Sequence, residues 1–231
     1  AANAEKLARA LTQEQGKPLA EAMGEVAWTE GFLRHYATLH IEERTIQDDG
    51  AALIQVRRKP LGVVVGIVAW NFPLLMACWK IGPAVIAGNT IVMKPAPTTP
   101  VTTMMLGELC REVFPAGVVN IIVDANDLGS YLTADPRVAK ISFTVSTATG
   151  KKIMASASDS LKRITLELGG NDPGIVLEDV DVRATAQNIF NAAFLNCGQV
   201  CLAIKRAYVH DSIYDAMCDE LARLADAAVV D

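Results

Sequence analysis

The chain has 231 residues, of which 51% are hydrophobic and 20% charged, and this suits a globular protein with a sizeable core. Its formal net charge of −5, with Lys and Arg scattered, argues against a general binder of nucleic acid or of acidic lipid. The chain has five cysteines, and most of them lie in apolar runs. This odd number indicates a reducing compartment such as the cytoplasm rather than a disulfide framework.

The first 60 residues predict helices followed by a ribbon. Residues 4–40 carry apolar side chains at helical spacing, with a break predicted at Gly16-Lys17-Pro18. Residues 51–57 partly alternate, as a half-buried strand does, and with the segment before Gly50 they predict a ribbon set apart from the main sheet. Such a ribbon serves either as a subunit contact or as a plain surface hairpin.

From Leu61 onward, strands and helices alternate. The predicted strands are 62–69, 90–94, 118–123, 138–144 and 163–168, and the predicted helices are 74–87, 99–113, 126–134 and 147–158. This pattern predicts an α/β fold with a parallel, Rossmann-like sheet and helices on both faces. Leu61 to Trp79 is uncharged, but Asn71-Phe-Pro73 interrupts it, which favours a buried strand over a membrane span.

After Gly169-Gly170 the pattern starts again. The predicted elements are strand 174–177, helix 182–194, strand 205–210 and helix 212–228. The glycine pair predicts a hinge, with a first domain over 1–169 and a second over 170–231. A domain of about sixty residues is small for an independent core, so we expect it to be part of a larger α/β domain.

The cysteines offer one candidate nucleophile. Cys201 follows a polar loop with a turn at Gly198, which suits a stabilised thiolate, although an arbitrary cysteine is more often a small buried hydrophobe. Cys197 is its rival, and the four-residue spacing without a second pair or nearby His argues against zinc. The other cysteines lie in helical patterns and are expected in the core: Cys78, Cys110 and Cys218.

Two polar side chains are candidates for the remaining chemistry. Glu167 lies among apolar residues, which would raise its pKa and suit a general base, although a strand carboxylate paired with Lys162 or Arg163 is an equal alternative. Asn71 follows a predicted strand, and its amide suits donation to an oxyanion or, alternatively, to its own turn before Pro73.

Ligands of such sheets bind beyond the carboxyl ends of the strands. Lys94 ends a strand there and suits a ribose or phosphate, or is a solvated strand-end lysine. Residues 144–150 join a strand to a helix with several hydroxyls, which suits either a phosphate or a simple Ser/Thr N-cap.

Six motifs, in order, closely resemble those of the NAD(P)-dependent aldehyde dehydrogenase superfamily. They are Pro60-Leu-Gly-Val63, Trp70-Asn-Phe-Pro73, Gly88-Asn-Thr90 with Lys94-Pro95, residues 114–120, Leu166-Glu-Leu-Gly-Gly170 and Gly198-Gln-Val-Cys201. The resemblance implies a nicotinamide-binding domain, part of a catalytic domain, and an oligomerisation ribbon over 41–59. It implies a small aldehyde as substrate, a homo-oligomer, and neither nucleic acid nor membrane as partner.

The resemblance also implies roles for single residues. Cys201 would attack the aldehyde, the Asn71 amide would hold the oxyanion with the Cys201 N–H, and Glu167 would activate water to release the acid. The cofactor would be NAD or NADP, with NAD favoured. Residues of the cofactor site would be Trp70, Lys94, Ser146, Gly150 and Leu168.

Three departures from the family pattern leave an alternative open. Val145 stands where the family has glycine near the pyrophosphate, so it is expected to crowd the cofactor or strain the backbone. Pro97 replaces a ribose-binding glutamate, and a later Glu-x-Phe-Gly-Pro motif is absent, together with most of the catalytic domain. The alternative is an impaired fragment or remnant that at most binds nucleotide or a partner subunit. A cysteine hydrolase would need a partner histidine, and no loop histidine suggests that role.

Overall fold

The predicted alternation of strands and helices is present in a computed structural model, which describes residues 2–230. The chain divides into two units, the first ending at Leu168 and the second beginning at Gly169. Among the helices of residues 2–230, none combines the length and the hydropathy that a membrane-spanning helix needs.

The first unit begins with two helices, α1 (Ala4–Gln15) and α2 (Leu19–Thr38), and the predicted break between them is confirmed. Gly16 ends α1 in the left-handed conformation, with φ 92°, and its N–H donates to the carbonyl of Thr12. Pro18 then precedes α2. The apolar face of α1, which contains Leu7, Ala8 and Leu11, is buried in the core of the unit.

The ribbon is an antiparallel pair, β1 (Arg44–Asp48) and β2 (Leu53–Val56). The expectation of a half-buried strand is wrong, because every residue of both strands is exposed. Ile46 is 56% and Leu53 61% exposed, so the ribbon presents apolar side chains that its own unit does not cover. The carboxylate of Asp49 accepts the N–H groups of residues 51 and 52 and closes the turn.

The centre of the first unit is a five-stranded parallel sheet, and the predicted fold class is confirmed. Its strands are β3 (Val63–Ile67), β4 (Thr90–Lys94), β5 (Val119–Ile121), β6 (Val138–Thr144) and β7 (Arg163–Glu167). The helices between them are α3 (Pro73–Ile86), α4 (Val101–Val113), α5 (Gly129–Ala134) and α6 (Thr147–Ser158). The strand order is β5-β4-β3-β6-β7, so the direction of winding reverses between β3 and β6. A crevice at the carboxyl ends of those two strands is where such sheets bind ligands.

Both faces of the sheet are buried. Val64 belongs to one core cluster, with residues of α1 to α4, and the next residue, Val65, belongs to a second cluster on the α5–α6 side. Because successive strand residues point to opposite faces, a continuous apolar run is what a sheet covered on both sides requires.

The region after β5 differs from the prediction. Strand β5 ends at Ile121 and α5 begins at Gly129, whereas the sequence predicted a strand to 123 and a helix from 126. A loop replaces both ends, because the Asp124 carboxylate accepts the Leu128 N–H at 2.9 Å and Asn126 adopts a φ of 74°.

The second unit contains a two-stranded parallel sheet and two helices. Its elements are β8 (Asp172–Val176), α7 (Val182–Phe194), β9 (Ile204–Val209) and α8 (Tyr214–Asp226). A turn over residues 195–198, whose backbone is not helical, precedes the second strand, and a short 3-10 helix at Asp211–Ile213 precedes the second helix. The core is small and consists of five buried side chains: Val176, Ala186, Ile189, Met217 and Leu224.

Candidate active site

The loop before Cys201 has an unusual backbone. Asn196, Cys197 and Gly198 all have positive φ, at 52°, 55° and 77°. The side chains of Asn196 and Gln199 hold the loop, since each amide donates to the other residue's carbonyl, at 3.3 and 3.1 Å. Left-handed non-glycine residues carry a conformational cost and are common at functional sites.

Cys201 itself is exposed at the end of this loop. A Cβ atom at Gly170 would lie 2.2 Å from the Cys201 carbonyl oxygen. The position therefore requires glycine, because the backbone of the Cys201 turn passes directly over it. The glycine pair, interpreted from the sequence as a hinge, thus also has a packing role beside the candidate nucleophile.

The other cysteines differ in exposure. Burial raises the pKa of Cys78, and it raises that of Cys110 to about 11, so both are unreactive thiols of the core, as predicted. The expectation for Cys218 is wrong, because its position on α8 is exposed. Cys197 is exposed as well. Within residues 2–230, no group of three or more His, Cys, Asp or Glu residues is arranged to hold a metal ion.

A buried ion pair contacts the segment that contains Asn71. Lys17 and Glu25 form this pair, and neither side chain is exposed. The Lys17 ammonium donates to the Asn71 carbonyl oxygen at 2.8 Å and lies 3.9 Å from the centre of the Phe72 ring. Sequence reasoning missed this role, because Gly16-Lys17-Pro18 was interpreted only as a helix break. A buried lysine cannot be inferred from its neighbours in sequence alone.

Lys94 is not the solvated strand-end lysine of the alternative interpretation. It is buried at the end of β4, and its Nζ lies 2.7 Å from Asp124 Oδ1. Burial opposes ionisation of Asp124, but the hydrogen bonds from Lys94 and from the Leu128 N–H outweigh it and lower the pKa of this carboxyl. Asp124 was not identified from the sequence.

The β6–α6 connection forms a helix N-terminus. Ser146 is the N-cap of α6 and accepts the Thr149 N–H at 3.3 Å, as the N-cap interpretation predicted. Gly150 is buried in the first turn, and a Cβ there would lie 2.9 Å from Leu168 Cδ2. The backbone of α6 therefore packs directly against Leu168.

Val145 does not strain this connection. Its φ is not among the positive values, and its N–H donates to the Glu167 carbonyl at 3.1 Å. The side chain is half-buried and packs against the core cluster on the α5–α6 side. The expected backbone strain is thus wrong, and the crowding of a cofactor stays a prediction.

Glu167 ends β7 and is exposed, so its own unit does not provide the apolar surroundings that the sequence suggested. The alternative pair with Lys162 is not formed, because Lys162 donates to the carbonyls of Asp135 and Val138, at 2.7 and 3.1 Å. The Glu167 charge does act on a buried lysine of α3, Lys80.

Lys80 is a further polar residue that sequence reasoning missed. Its Nζ donates to Thr144 Oγ1 at 2.8 Å and lies 3.3 Å from Ser142 Oγ. Burial lowers the pKa of Lys80 to about 8, although the negative charge of Glu167 raises it in part. The only sequence signal is that it is the one charged residue in α3.

Three helices of the first unit differ in what occupies their N-termini. Glu25 accepts the Leu74 and Leu75 N–H groups of α3, at 3.0 and 3.1 Å. Glu14 accepts those of residues 101 and 102 in α4, at 2.7 and 3.0 Å. The cap of α6 is the neutral hydroxyl of Ser146. Of these three helices, α6 is therefore the one without a carboxylate at its N-terminus, where the helix dipole favours negative charge.

The predicted cofactor residues thus occupy one edge of the sheet. Trp70 and Asn71 follow β3, Lys94 ends β4, and Ser146 follows β6. Leu168 follows β7, packed on Gly150. Parallel strands place their carboxyl ends together, so these residues lie at the edge where such sheets bind ligands.

Comparison with known proteins gives consistent matches over the whole chain. The model of the "Aldehyde dehydrogenase family" matches residues 1–231. The aldehyde dehydrogenase LUC3 of Fusarium sp. is 43% identical over 91% of this chain and 44% of its own length. The chain therefore spans about half the length of the curated relatives it matches.

Solved structures match as well. An NADP-dependent enzyme of E. coli has a TM-score of 0.91 at 39% identity, over 96% of this chain and 47% of that one. PnpE of Pseudomonas sp. WBC-3, in complex with nicotinamide adenine dinucleotide, has a TM-score of 0.94 at 40% identity, over 97% of this chain and 47% of that one.

Proposed function

Because the chain belongs to the aldehyde dehydrogenase family, we propose that the protein carrying it oxidises an aldehyde to a carboxylic acid with a nicotinamide dinucleotide. The observation that carries the proposal is the exposed Cys201 at the end of a constrained loop, with Gly170 packed against its carbonyl. Buried Cys78 and Cys110 offer no comparable thiol.

The proposed reaction begins at Cys201. Its thiolate forms a bond to the aldehyde carbon, and the carbonyl oxygen becomes an oxyanion. The Asn71 side-chain amide and the Cys201 N–H donate to that oxygen, where preformed donors stabilise the developing charge most. A bound nicotinamide would supply the acceptor for the hydride of the same carbon, and Cys201 would hold the acyl group on its sulfur as a thioester.

Glu167 completes the proposed reaction as general base. It takes a proton from a water molecule, whose oxygen attacks the thioester carbon. The carbon–sulfur bond then breaks, the thiolate of Cys201 is restored, and the acid leaves. An exposed carboxylate at the end of β7 is available for this role.

For the cofactor we propose NAD in preference to NADP. The pyrophosphate would lie at the α6 N-terminus, with Ser146 and Gly150, and Lys94 would lie toward the adenosine ribose. Lys94 is paired with Asp124, whose negative charge offsets the attraction of the lysine for a ribose phosphate. Pro97 adds no donor, so a 2′-phosphate would gain little there.

A homo-oligomer is part of the same proposal. The exposed apolar side chains of the ribbon, Ile46, Leu53 and Ile54, suit burial against a second copy of the chain.

The alternative is that the chain binds nucleotide or a partner subunit without turnover. The observation that favours it is Val145, a β-branched residue beside the α6 N-terminus at which the pyrophosphate would lie.

The test is formation of reduced nicotinamide from a panel of aldehydes, with Cys201→Ala and Cys197→Ala as a matched pair. We expect the first variant to lose at least about 10³-fold in rate and the second to keep most of it. Full activity of Cys201→Ala would refute the nucleophile, and no turnover with retained NAD+ binding would support the alternative.

A further inference from the structure

The Lys17–Glu25 pair joins the N-terminal helices to the start of α3. One end of the pair binds the Asn71 carbonyl, through the Lys17 ammonium at 2.8 Å. The other end, Glu25 Oε1, accepts the N–H groups of Leu74 and Leu75. Five consecutive residues, Asn71 to Leu75, are therefore fixed at both ends by one ion pair.

The middle of this segment is fixed as well. The Phe72 ring lies under the Lys17 ammonium, 3.9 Å from ring centre to Nζ. Pro73 is the first residue of α3, where its restricted φ favours the start of a helix. The contacts thus leave Asn71 little backbone freedom.

Stability alone is a weak reason for such a pair. Both side chains are fully buried, and a buried ion pair often stabilises a protein no more than apolar residues of similar volume do. An apolar pair cannot make directional hydrogen bonds to three backbone groups. What the ions specifically supply is the conformation of residues 71–75.

Glu14 offers a comparison within the same unit. It also comes from the N-terminal helices and caps a sheet helix, since its carboxylate accepts the Val101 and Thr102 N–H groups of α4. However, the residues it contacts are remote in sequence from Asn71, and none of them has a proposed role in catalysis.

We propose that Lys17 and Glu25 are positioning residues for Asn71, which hold its side-chain amide where the oxyanion develops. This inference rests on the proposed function, in which Asn71 donates to that oxyanion. Neither residue of the pair touches the substrate, and both act through the backbone of residues 71–75. An offset of about 1 Å in such a donor can cost about 10²-fold in rate.

The test is a double-mutant cycle on hydrolysis of p-nitrophenyl acetate, which needs no nicotinamide. The Cys201 thiolate bonds to the acetyl carbon, p-nitrophenolate leaves, and water releases acetate from the thioester. Lys17→Met is measured alone and together with Asn71→Ala, and Glu14→Gln is the matched cap control. Lys17→Met with Glu25→Leu replaces the pair by apolar residues, which guards against unfolding of a variant with one unpaired charge.

We expect Lys17→Met, and the apolar pair, to lower kcat about 10- to 100-fold with little change in KM. In the Asn71→Ala background the same substitutions should cost nothing further, since the donor they position is gone. Glu14→Gln should change the rate by less than about two-fold, because α4, the helix that Glu14 caps, contains no proposed oxyanion donor.

Equal losses in the Asn71 and Asn71→Ala backgrounds would overturn the inference, because they would indicate a general structural role. A folded apolar-pair variant with full rate would overturn it as well. If Cys201→Ala hydrolyses the ester as fast as the unsubstituted chain, the proposed nucleophile itself fails, and the positioning role fails with it. A loss with Asn71→Ala but not with Lys17→Met would refute the positioning role alone.

Discussion

The two units differ in how far each buries its own apolar surface. In the first unit, β3 is buried on both faces by two core clusters. The buried lysines Lys17 and Lys94 of this unit each have a carboxylate partner. In the second, the two-stranded sheet leaves Ile175 72% and Tyr208 54% exposed. The first unit therefore buries its sheet as an independently folding unit requires, whereas the second leaves apolar strand residues uncovered.

The largest effect is expected at Glu167. If Glu167 activates water for a thioester on Cys201, Glu167→Gln should slow acid release by about 10²- to 10⁴-fold, the usual contribution of a general base. Hydride transfer in the first turnover should be little changed, so rapid-quench analysis should show acylated protein. An unchanged rate of acid formation would remove this role.

Core substitutions test the difference in burial directly. Ile141 and Met217 are fully buried, one in each unit. Truncation of either residue to Ala should lower the free energy of unfolding by about 2–5 kcal/mol. We expect two separate unfolding transitions, with the second unit unfolding at the lower denaturant concentration. Urea unfolding followed by hydrogen exchange would assign each transition. A single transition shifted equally by both substitutions would contradict the independence of the first unit.

Lys80 predicts a pH dependence confined to the first unit. Its pKa is lowered by burial to about 8, from an ordinary value of 10.5. Between those two values the unfolded chain binds more protons than the folded one, so the free energy of unfolding should rise with pH, by up to about 3 kcal/mol. Below pH 8, Lys80 is protonated in both the folded and the unfolded chain, so it should not make the free energy of unfolding depend on pH. Lys80→Met should remove the rise, and a variant that retained it would show another group responsible.

A smaller effect is expected at the Lys94–Asp124 pair. Asp124→Asn removes the negative charge beside Lys94 while keeping the side-chain size, so affinity for NADP+ should increase about tenfold, or about 1.4 kcal/mol, with little change for NAD+. Fluorescence titration with both nucleotides measures the ratio. An equal change in affinity for both nucleotides would indicate that the pair acts through the conformation of the loop, and not through the charge of Asp124.

Much of the first unit could be predicted from sequence because its signals are local. The uncharged, β-rich run predicted β3, and Ser146 at the start of a helical pattern predicted the N-cap of α6. The short β5 and late α5 could not be predicted in this way, since they depend on the Asp124 carboxylate accepting the Leu128 N–H.

The ion pairs of the candidate site were beyond local reasoning as well. Lys17 and Asn71 lie 54 positions apart, and nothing in their neighbouring residues indicates the contact. The exposure of individual side chains was also poorly predicted from the sequence. Glu167 lies among apolar residues and Cys218 within a helical pattern, yet both are exposed, because the exposure of a residue depends on what packs against its element.

We propose that the first unit binds a nicotinamide dinucleotide at the carboxyl edge of its sheet. Isothermal titration of this chain with NAD+ and NADP+, alongside the variants Ser146→Ala and Val145→Gly, measures that binding. We predict saturable binding of NAD+, weaker binding of NADP+, a loss with Ser146→Ala and a gain with Val145→Gly. Absence of binding of both nucleotides, in the unsubstituted chain and in Val145→Gly alike, would contradict a nucleotide site at this edge.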